Sequence, residues 1–463
     1  MEFKLNIKSI APVAAVLIAA LLALSPVDSQ PVNFSHSAAV VLITLVFWST
    51  SVIPPFLVGL LFFALATIFK LIDPTLLFSG FGSTAVWLII SGFVIGSAIS
   101  ATGLGKKLAS IISPHVTGSY TKLIGGLVIS AALLGFVMPS SVGRAVVLLP
   151  IGMALADQVG FGKGSNGRIG IAVALALACN MPSFAVLPAN IPNMILAGAS
   201  ETLYDIQFSY TEYLLLHFPV LGVLKSLLII TLVLKIFPAE ISSDSERVST
   251  SEEKEFDPKQ QKKVSILLGI TLLFWVTDTI HGVNPAWVGL ATAIILLLPK
   301  VGVIPPKSFN GSVDFGTVIF VSSALGLGML VNESGIGSYM GEAFAQLLPS
   351  SSSGSFLGFM ALSITSVVTG LITTIPGVPA VLSPLAADFA QATGFSTTTV
   401  LMTQVLGFST VIFPYQVAPL IVAMQLSGEP LSKLVKVTLP LTAITILVLF
   451  PLDYIWWWIL GAI

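Results

Sequence analysis

Long apolar runs separated by short polar stretches recur from one end of this chain to the other, without strand-like alternation. Their lengths predict spanning helices near 9–25, 37–53, 55–71, 84–102, 167–187 with a short continuation from 190, and 213–236. A second set is predicted near 264–279, 286–300, 315–332, 397–411 with a continuation from 415, and 434–461. A hydrocarbon core of about 30 Å takes ~20 apolar residues in helical form, and continuous runs exclude a β-barrel, whose strands alternate. Two further pairs, 121–138 with 143–157 and 355–372 with 377–392, are shorter on each side of a polar break and read as re-entrant hairpins. The expected fold is an all-α polytopic membrane protein with about eleven transmembrane helices plus two re-entrant hairpins.

Composition strengthens this picture. Of 463 residues, 55% are hydrophobic and 9% charged, with a mean hydropathy of +0.99, whereas soluble domains carry roughly 25% charged residues. The net charge of -1 says little about partners, because in a membrane protein the placement of charges matters more than their sum, and no nucleic-acid partner is expected. The single Cys179 rules out an internal disulfide and reads as a small core residue. The first run, Ile10 to Leu24, follows Lys4 and Lys8 as a signal peptide would, but Ser25-Pro26-Val27-Asp28-Ser29-Gln30 is a poor cleavage site, so it reads as a retained helix.

Charge placement orients the chain. With the N-terminus inside and the hairpins non-crossing, sixteen basic residues from Lys4 to Lys436 fall on the cytoplasmic side and only Lys70 outside. Arg144, Lys225 and Lys235 lie in or at the edge of the membrane. This is the positive-inside bias, and it predicts a cytoplasmic N-terminus and an outward C-terminus in a bacterial inner membrane.

An internal repeat emerges at nearly constant offset. Phe47-Trp48-Ser49-Thr50 answers to Phe274-Trp275-Val276-Thr277, Ala101-Thr102-Gly103-Leu104-Gly105 to Glu333-Ser334-Gly335-Ile336-Gly337, Ser140 to Thr374, and Leu187-Pro188 to Phe413-Pro414. Five crossings separate Trp48 from Trp275, so the halves are expected to be inverted in the membrane. That divides the chain into a first repeat at 1–237 with hairpin 121–157, a polar cytoplasmic linker at 238–263, and a second repeat at 264–463 with hairpin 355–392.

The hairpin breaks are Pro139-Ser140-Ser141-Val142-Gly143-Arg144 and Thr373-Thr374-Ile375-Pro376-Gly377. Backbone leaves the helix at bilayer depth only where protein or a water-filled cavity satisfies it, and paired interruptions in two halves mark the substrate site of a secondary transporter. Ser140, Ser141, Thr373, Thr374 and Gly377 offer hydroxyls and free N–H groups where the second arms begin, and the positive helix end there favours an anion. Arg144 either binds that anion through its planar fork, in which case its loss abolishes uptake with little effect on folding, or ties the hairpin to backbone carbonyls or to an acid such as Asp157, or snorkels to the cytoplasmic surface. The helix breaks Leu187-Pro188-Ala189-Asn190-Ile191-Pro192-Asn193 and Phe413-Pro414-Tyr415-Gln416-Val417-Ala418-Pro419 add the amides Asn190, Asn193 and Gln416, which either line the site as substrate ligands or satisfy backbone groups freed by the break. Ser140, Ser141, Ala189, Thr374 and Tyr415 are the candidate ligands of a coupling cation, Na+ or H+.

Lys225, inside the sixth span, is expected to snorkel, pair with Asp278, or add positive potential to an anion path. His217 is either a proton carrier or simply hydrogen-bonded. Asp157, Asp278 and Asp388, the acids an antiporter would use, fall near span ends. No His or Cys cluster suggests a bound metal beyond sodium, and no Walker loop suggests nucleotide hydrolysis. A transporter without a cofactor, rather than an enzyme, is expected.

These residues resemble the divalent anion:sodium symporter family, the di- and tricarboxylate and sulfate carriers of the wider ion transporter superfamily. The likeness spans nearly the whole chain. It rests on Phe78-Ser79-Gly80-Phe81 followed by Val86-Trp87-Leu88, the Thr102-Gly103-Leu104 and Ser334-Gly335-Ile336 helix ends, the stretch from Phe274-Trp275 to His281-Gly282-Val283, and both proline-rich breaks. The resemblance implies two inverted repeats with a re-entrant hairpin each, a homodimer with scaffold and moving parts, and elevator-type symport of a small anion such as a dicarboxylate, sulfate or sulfonate. A sodium/proton antiporter or oxyanion exporter of the same superfamily is the alternative. The family's Ser-Asn-Thr tip triplets fall on Ser140-Ser141-Val142 and Thr374-Ile375-Pro376, where both asparagines are missing and Arg144 adds a cation.

Overall fold

A computed structural model describes residues 7–24, 33–50, 52–105, 107, 118–241, 256–345 and 354–463. Most of the polar linker, 242–255, lies outside the described residues, and Pro258 to Lys263 at its end already form the first turns of a helix.

The first half runs α1 (Ile7–Leu24), α2 (Phe34–Thr50), α3 (Pro55–Ile68), α4 (Thr84–Ala101), α5 (Tyr120–Val137), α6 (Ser141–Gln158), α7 (Asn166–Ala178), α8 (Ile191–Tyr204) and α9 (Tyr210–Ile236). The second continues with α10 (Pro258–Val276), α11 (Pro285–Leu297), α12 (Phe315–Glu333), α13 (Ile336–Ala345), α14 (Phe356–Ile372), α15 (Gly377–Thr393), α16 (Thr397–Phe408), α17 (Ala418–Ser427) and α18 (Ser432–Ile459). Helix starts follow local chemistry: Ser119, Ser140, Ser165, Ser355 and Ser396 each accept a backbone N–H of the first turn, satisfying a donor the helix cannot.

This is an all-α polytopic membrane protein. Among the described residues, α4, α5, α7 with its extension to Ala185, α9, α12 and α18 are each long and apolar enough to cross a bilayer, and α14 with α15 do so jointly around a turn of 118°. The α1, α2, α3, α11 and α17 helices are apolar but shorter. One departure concerns the first hairpin, whose arm α5 is itself 18 residues long and apolar enough to span, longer than the re-entrant arm expected.

Two details recur at matching places in the chain. Trp48 Nε1 donates to Pro55 O at 3.0 Å and Trp275 Nε1 to Pro285 O at 3.0 Å, so the same clasp closes both α2–α3 and α10–α11. Helices α3 and α12 pack together, as do α11 and α4, each half lending one helix to the other. Short approach requires small residues: a Cβ on Gly59 of α3 would lie 2.3 Å from Ser323 Oγ of α12. Both α9 and α18 also contain a π-helical stretch, at Phe218–Leu224 and Thr445–Leu449.

Buried apolar residues form two cores. One is centred on α5–α7, α9 and α14–α18, the other on α2–α4 and α10–α12. Ends expected on one membrane face meet there. Arg168 at the start of α7 pairs with Asp157 at the end of α6 and with Glu429 between α17 and α18. On the other face, Asp278 accepts from Ser209 Oγ and Tyr210 N, and Trp456 Nε1 donates to Leu215 O.

Candidate functional site

Each hairpin tip is bound to the helix break of its own half. At the first, α5 ends at Val137 and α6 begins at Ser141, because Pro139 lacks a donor and Ser140 Oγ accepts Gly143 N at 3.0 Å. The break of the same half consists of two short 3₁₀ turns, Pro182–Ala185 and Leu187–Ala189, before α8 starts at Ile191. Asn190 joins the two: its Oδ1 accepts Ser141 Oγ, and its Nδ2 donates to Ser183 Oγ at 2.8 Å.

Arg144 lies at the centre of this junction, fully buried. Nε donates to Cys179 O at 2.9 Å, Nη1 to Met138 O, and Nη2 to Ser141 Oγ at 2.9 Å and Ser183 Oγ at 2.6 Å, while Ala189 O lies 3.4 Å from both Nη atoms. The guanidinium has five N–H groups, and these partners engage them. Met138 and Cys179 close α5 and α7, so the cation sits where two helices present their negative ends. Of the two readings left open by the sequence, the geometry is that of the structural tie. Its partners are carbonyls and hydroxyls; Asp157 instead pairs with Arg168. The Ser141 hydroxyl and the Ala189 carbonyl, candidate ligands of a coupling cation, are both engaged with Arg144.

The second tip is built differently. Gln416, in the short turn Pro414–Gln416, accepts Ile412 N and Phe413 N through Oε1, both at 2.8 Å, and donates Nε2 to Gly370 O at 2.9 Å. Its backbone O accepts Ile375 N at 3.2 Å, and Tyr415 Oη donates to Leu371 O at 2.9 Å. Thr373 Oγ1 is spent on Thr369 O and Thr374 O. Gly377 is required for space, since a Cβ there would lie 2.8 Å from Thr373 Oγ1. Thr374 has φ +125°, a strained conformation for a β-branched residue. Thr374→Gly should therefore raise the thermal midpoint in detergent, releasing about 1–3 kcal/mol of strain against ~0.5–1 kcal/mol of lost chain restriction. A drop in midpoint would show that Thr374 stores no net strain.

The two junctions are interleaved: α8 packs against α15, α17 against α6, and Phe184 meets Phe408 with ring centroids 5.7 Å apart. Asn193, fully buried, donates to Phe184 O and Val186 O while its Oδ1 accepts no bond. Sequence reasoning passes over Ser183, although the repeat signals it, since its counterpart at an offset of 226 is Ser409 in the other break. Lys225 is also fully buried, and its Nζ donates to Ser409 O at 2.7 Å. It is not paired with Asp278, whose carboxylate caps the start of α9. Thus a buried cation holds the carbonyl end of the first half-helix at each break: Arg144 at Cys179, Lys225 at Ser409.

An integral membrane protein whose two similar halves each carry a broken helix and a tip bound to it has the build of a secondary transporter. Residues 43–407 match the citrate transporter family (CitMHS), and the chain belongs to that family, within the ion transporter superfamily. A membrane protein of Cupriavidus necator is 25% identical over 72% of this chain. A putative malate transporter of Bacillus subtilis is 25% identical over 57%, and an L-tartrate/succinate antiporter of Escherichia coli 24% identical over 58%. The chain spans 66%, 57% and 56% of those proteins' own lengths. The crystal structure of the YdaH transporter of Alcanivorax borkumensis, described as having an unusual topology, shares the fold with a TM-score of 0.54 at 15% identity, covering 97% of each chain. The Bacillus, Escherichia and Alcanivorax proteins are named as transporters.

Proposed function

We propose that this protein is a secondary active transporter of small organic anions of the di- or tricarboxylate class, held where the four helices α6, α8, α15 and α17 begin. The observation that carries this reading is the treatment of the breaks. Their carbonyl ends are neutralised by Arg144 and Lys225, no carboxylate pairs with Arg144, and among the described residues the ion pairs all belong to Arg168. What remains is the positive ends of four helices in a dry interior, which favours an anion. The names of the malate and tartrate/succinate relatives support a carboxylate.

The likeness to divalent anion:sodium symporters supports an elevator-type motion. The two cores act as a scaffold and a moving unit, and the protein works as a homodimer in the inner membrane. Sodium symport is the weaker form of coupling. The guanidinium of Arg144 stands among Met138, Cys179 and Ala189 carbonyls and two hydroxyls, a ligand set suited to a sodium ion, so a built-in cation takes that place. This favours proton coupling or anion exchange.

Thermal-shift measurements on purified protein with citrate, L-malate, L-tartrate, succinate and sulfate, each in sodium and in choline buffer, test the reading. At least one carboxylate should stabilise the protein equally in both, by about 2.7 kcal/mol at a hundredfold excess over its dissociation constant. A shift found only in sodium would reinstate sodium symport, and no shift with any anion would remove the anion site.

A further inference from the structure

Helices α9 and α18 bury three titratable side chains, of which the anion site uses only Lys225, through the Ser409 carbonyl. His217 directly precedes the π-helical stretch of α9, Lys225 directly follows it, and Asp453 lies four residues beyond that of α18. All three are fully buried. Lys225 is satisfied by the Ser409 carbonyl at 2.7 Å and hydroxyl at 3.4 Å. Asp453 is not: both carboxyl oxygens are buried and accept no hydrogen bond. It is within electrostatic range of Lys225 but not in ion-pair contact with it. His217 Nδ1, Trp457 Nε1 and Thr445 Oγ1 are likewise buried without partners.

Of these, Trp457 lines a cavity of about 510 Å³ with polar lining from Ser209, Glu212 and Thr399 and a wall of Tyr213, Met402 and Trp457. His217 touches all three wall residues, with ring centroids 4.6 Å from Tyr213 and 5.5 Å from Trp457, and Nε2 3.4 Å from Met402 Sδ. Among the elements packed against α18, α9 contributes Tyr210, Glu212, Tyr213, His217, Lys225 and Lys235; α14 contributes no titratable group; and α7 has only Arg168, paired at the opposite face, and the buried Cys179 that follows its end. On α18 itself, Tyr454 meets Phe356 and Phe359 edge to face, and Lys433 and Lys436 stand at its start.

We propose that Asp453 and Lys225 form the proton site of this transporter, with His217 and the cavity at Trp457 as its route to solvent; the inference rests on the transport reading above. An ionised carboxylate with no donor in a dry interior is several kcal/mol costlier than the neutral acid. In the arrangement seen, then, Asp453 holds a proton while the Lys225 ammonium is satisfied by Ser409. Ser409 closes α16 just before the break that Gln416 fastens to the second tip. When the break moves, Lys225 loses that acceptor, and its remaining partner is the Asp453 carboxylate. The O–H bond of Asp453 breaks, its electron pair stays on the carboxylate, and the proton leaves through His217 to water in the cavity. The reverse step reloads it.

Infrared difference spectra of the purified full-length protein across a pH series test the site without any substrate. The carbonyl stretch of a protonated carboxylic acid should be present at neutral pH, titrate away as pH rises, disappear in Asp453→Asn, and persist to higher pH by at least one unit in Lys225→Met. No titrating acid band in the wild type, or one unmoved by Lys225→Met, overturns the proposal, even where Asp453→Asn fails to fold. In proteoliposomes, Asp453→Asn should keep exchange of labelled citrate or L-malate within about threefold and lose accumulation driven by an imposed pH gradient at least tenfold. Gradient-driven accumulation equal to wild type also overturns it. If neither anion crosses with the wild type while the band behaves as described, the substrate reading fails and the proton site stands.

Discussion

Arg144→Gln should lower the thermal midpoint of the purified protein by about 5–10 °C and reduce anion uptake to background. Removing the guanidinium leaves the carbonyls of Cys179 and Ala189 facing a dry interior, each at a cost of about 1–3 kcal/mol, while Met138 O keeps Ser140 N at 2.8 Å, and the shorter amide recovers at most one of them. The expectation that loss of Arg144 would spare the fold changes accordingly. A ligand with donors to spare would show raised KM and unchanged stability, whereas a tie shows both losses together. Arg144→Lys should fall between, keeping the charge but supplying three donors without the fork. An unchanged midpoint for Arg144→Gln, measured in detergent beside wild type, would return Arg144 to the role of substrate ligand.

Gln416→Glu is expected to reduce uptake at neutral pH at least a hundredfold with nearly the same side-chain volume. The carboxylate can still accept Ile412 N and Phe413 N, but it turns a second oxygen toward Gly370 O, where Nε2 now donates at 2.9 Å. It also places a negative charge at the start of α17, where the site must hold an anion. Protonation restores both a donor and neutrality, so uptake by the variant should recover as pH falls. Uptake that is insensitive to pH, or as fast as wild type at neutral pH, would show that Gln416 does not fasten the second tip.

Both paired interruptions are legible in the sequence because proline, glycine and serine stand where an apolar run would otherwise continue. Serine caps and the tryptophan clasps are equally local. What joins the pieces is not. Cys179, Ser183 and Ala189 reach Arg144 from 35 to 45 residues away and act partly through backbone carbonyls, which no residue type announces. Asp157 is nearer in sequence but faces Arg168. Lys225 eludes a helical projection from His217 because the intervening turn is π-helical, which shifts every later side chain around the axis. The expected partner, Asp278, is spent on the N-terminus of α9. Asp453 was within reach of sequence reasoning, since an acid within Leu452-Asp453-Tyr454-Ile455-Trp456 is costly in a membrane and marks function.

Counterflow in proteoliposomes tests the central claim most directly. Vesicles containing the purified protein and unlabelled citrate, L-malate, L-tartrate or succinate are diluted into the labelled form of the same anion, without nucleotide or sodium. A transient internal accumulation of label for at least one of them, lost in Gln416→Glu at neutral pH, is the result expected of a secondary carboxylate transporter working through these junctions. Absence of counterflow for all four anions, or counterflow untouched by Gln416→Glu, would contradict it.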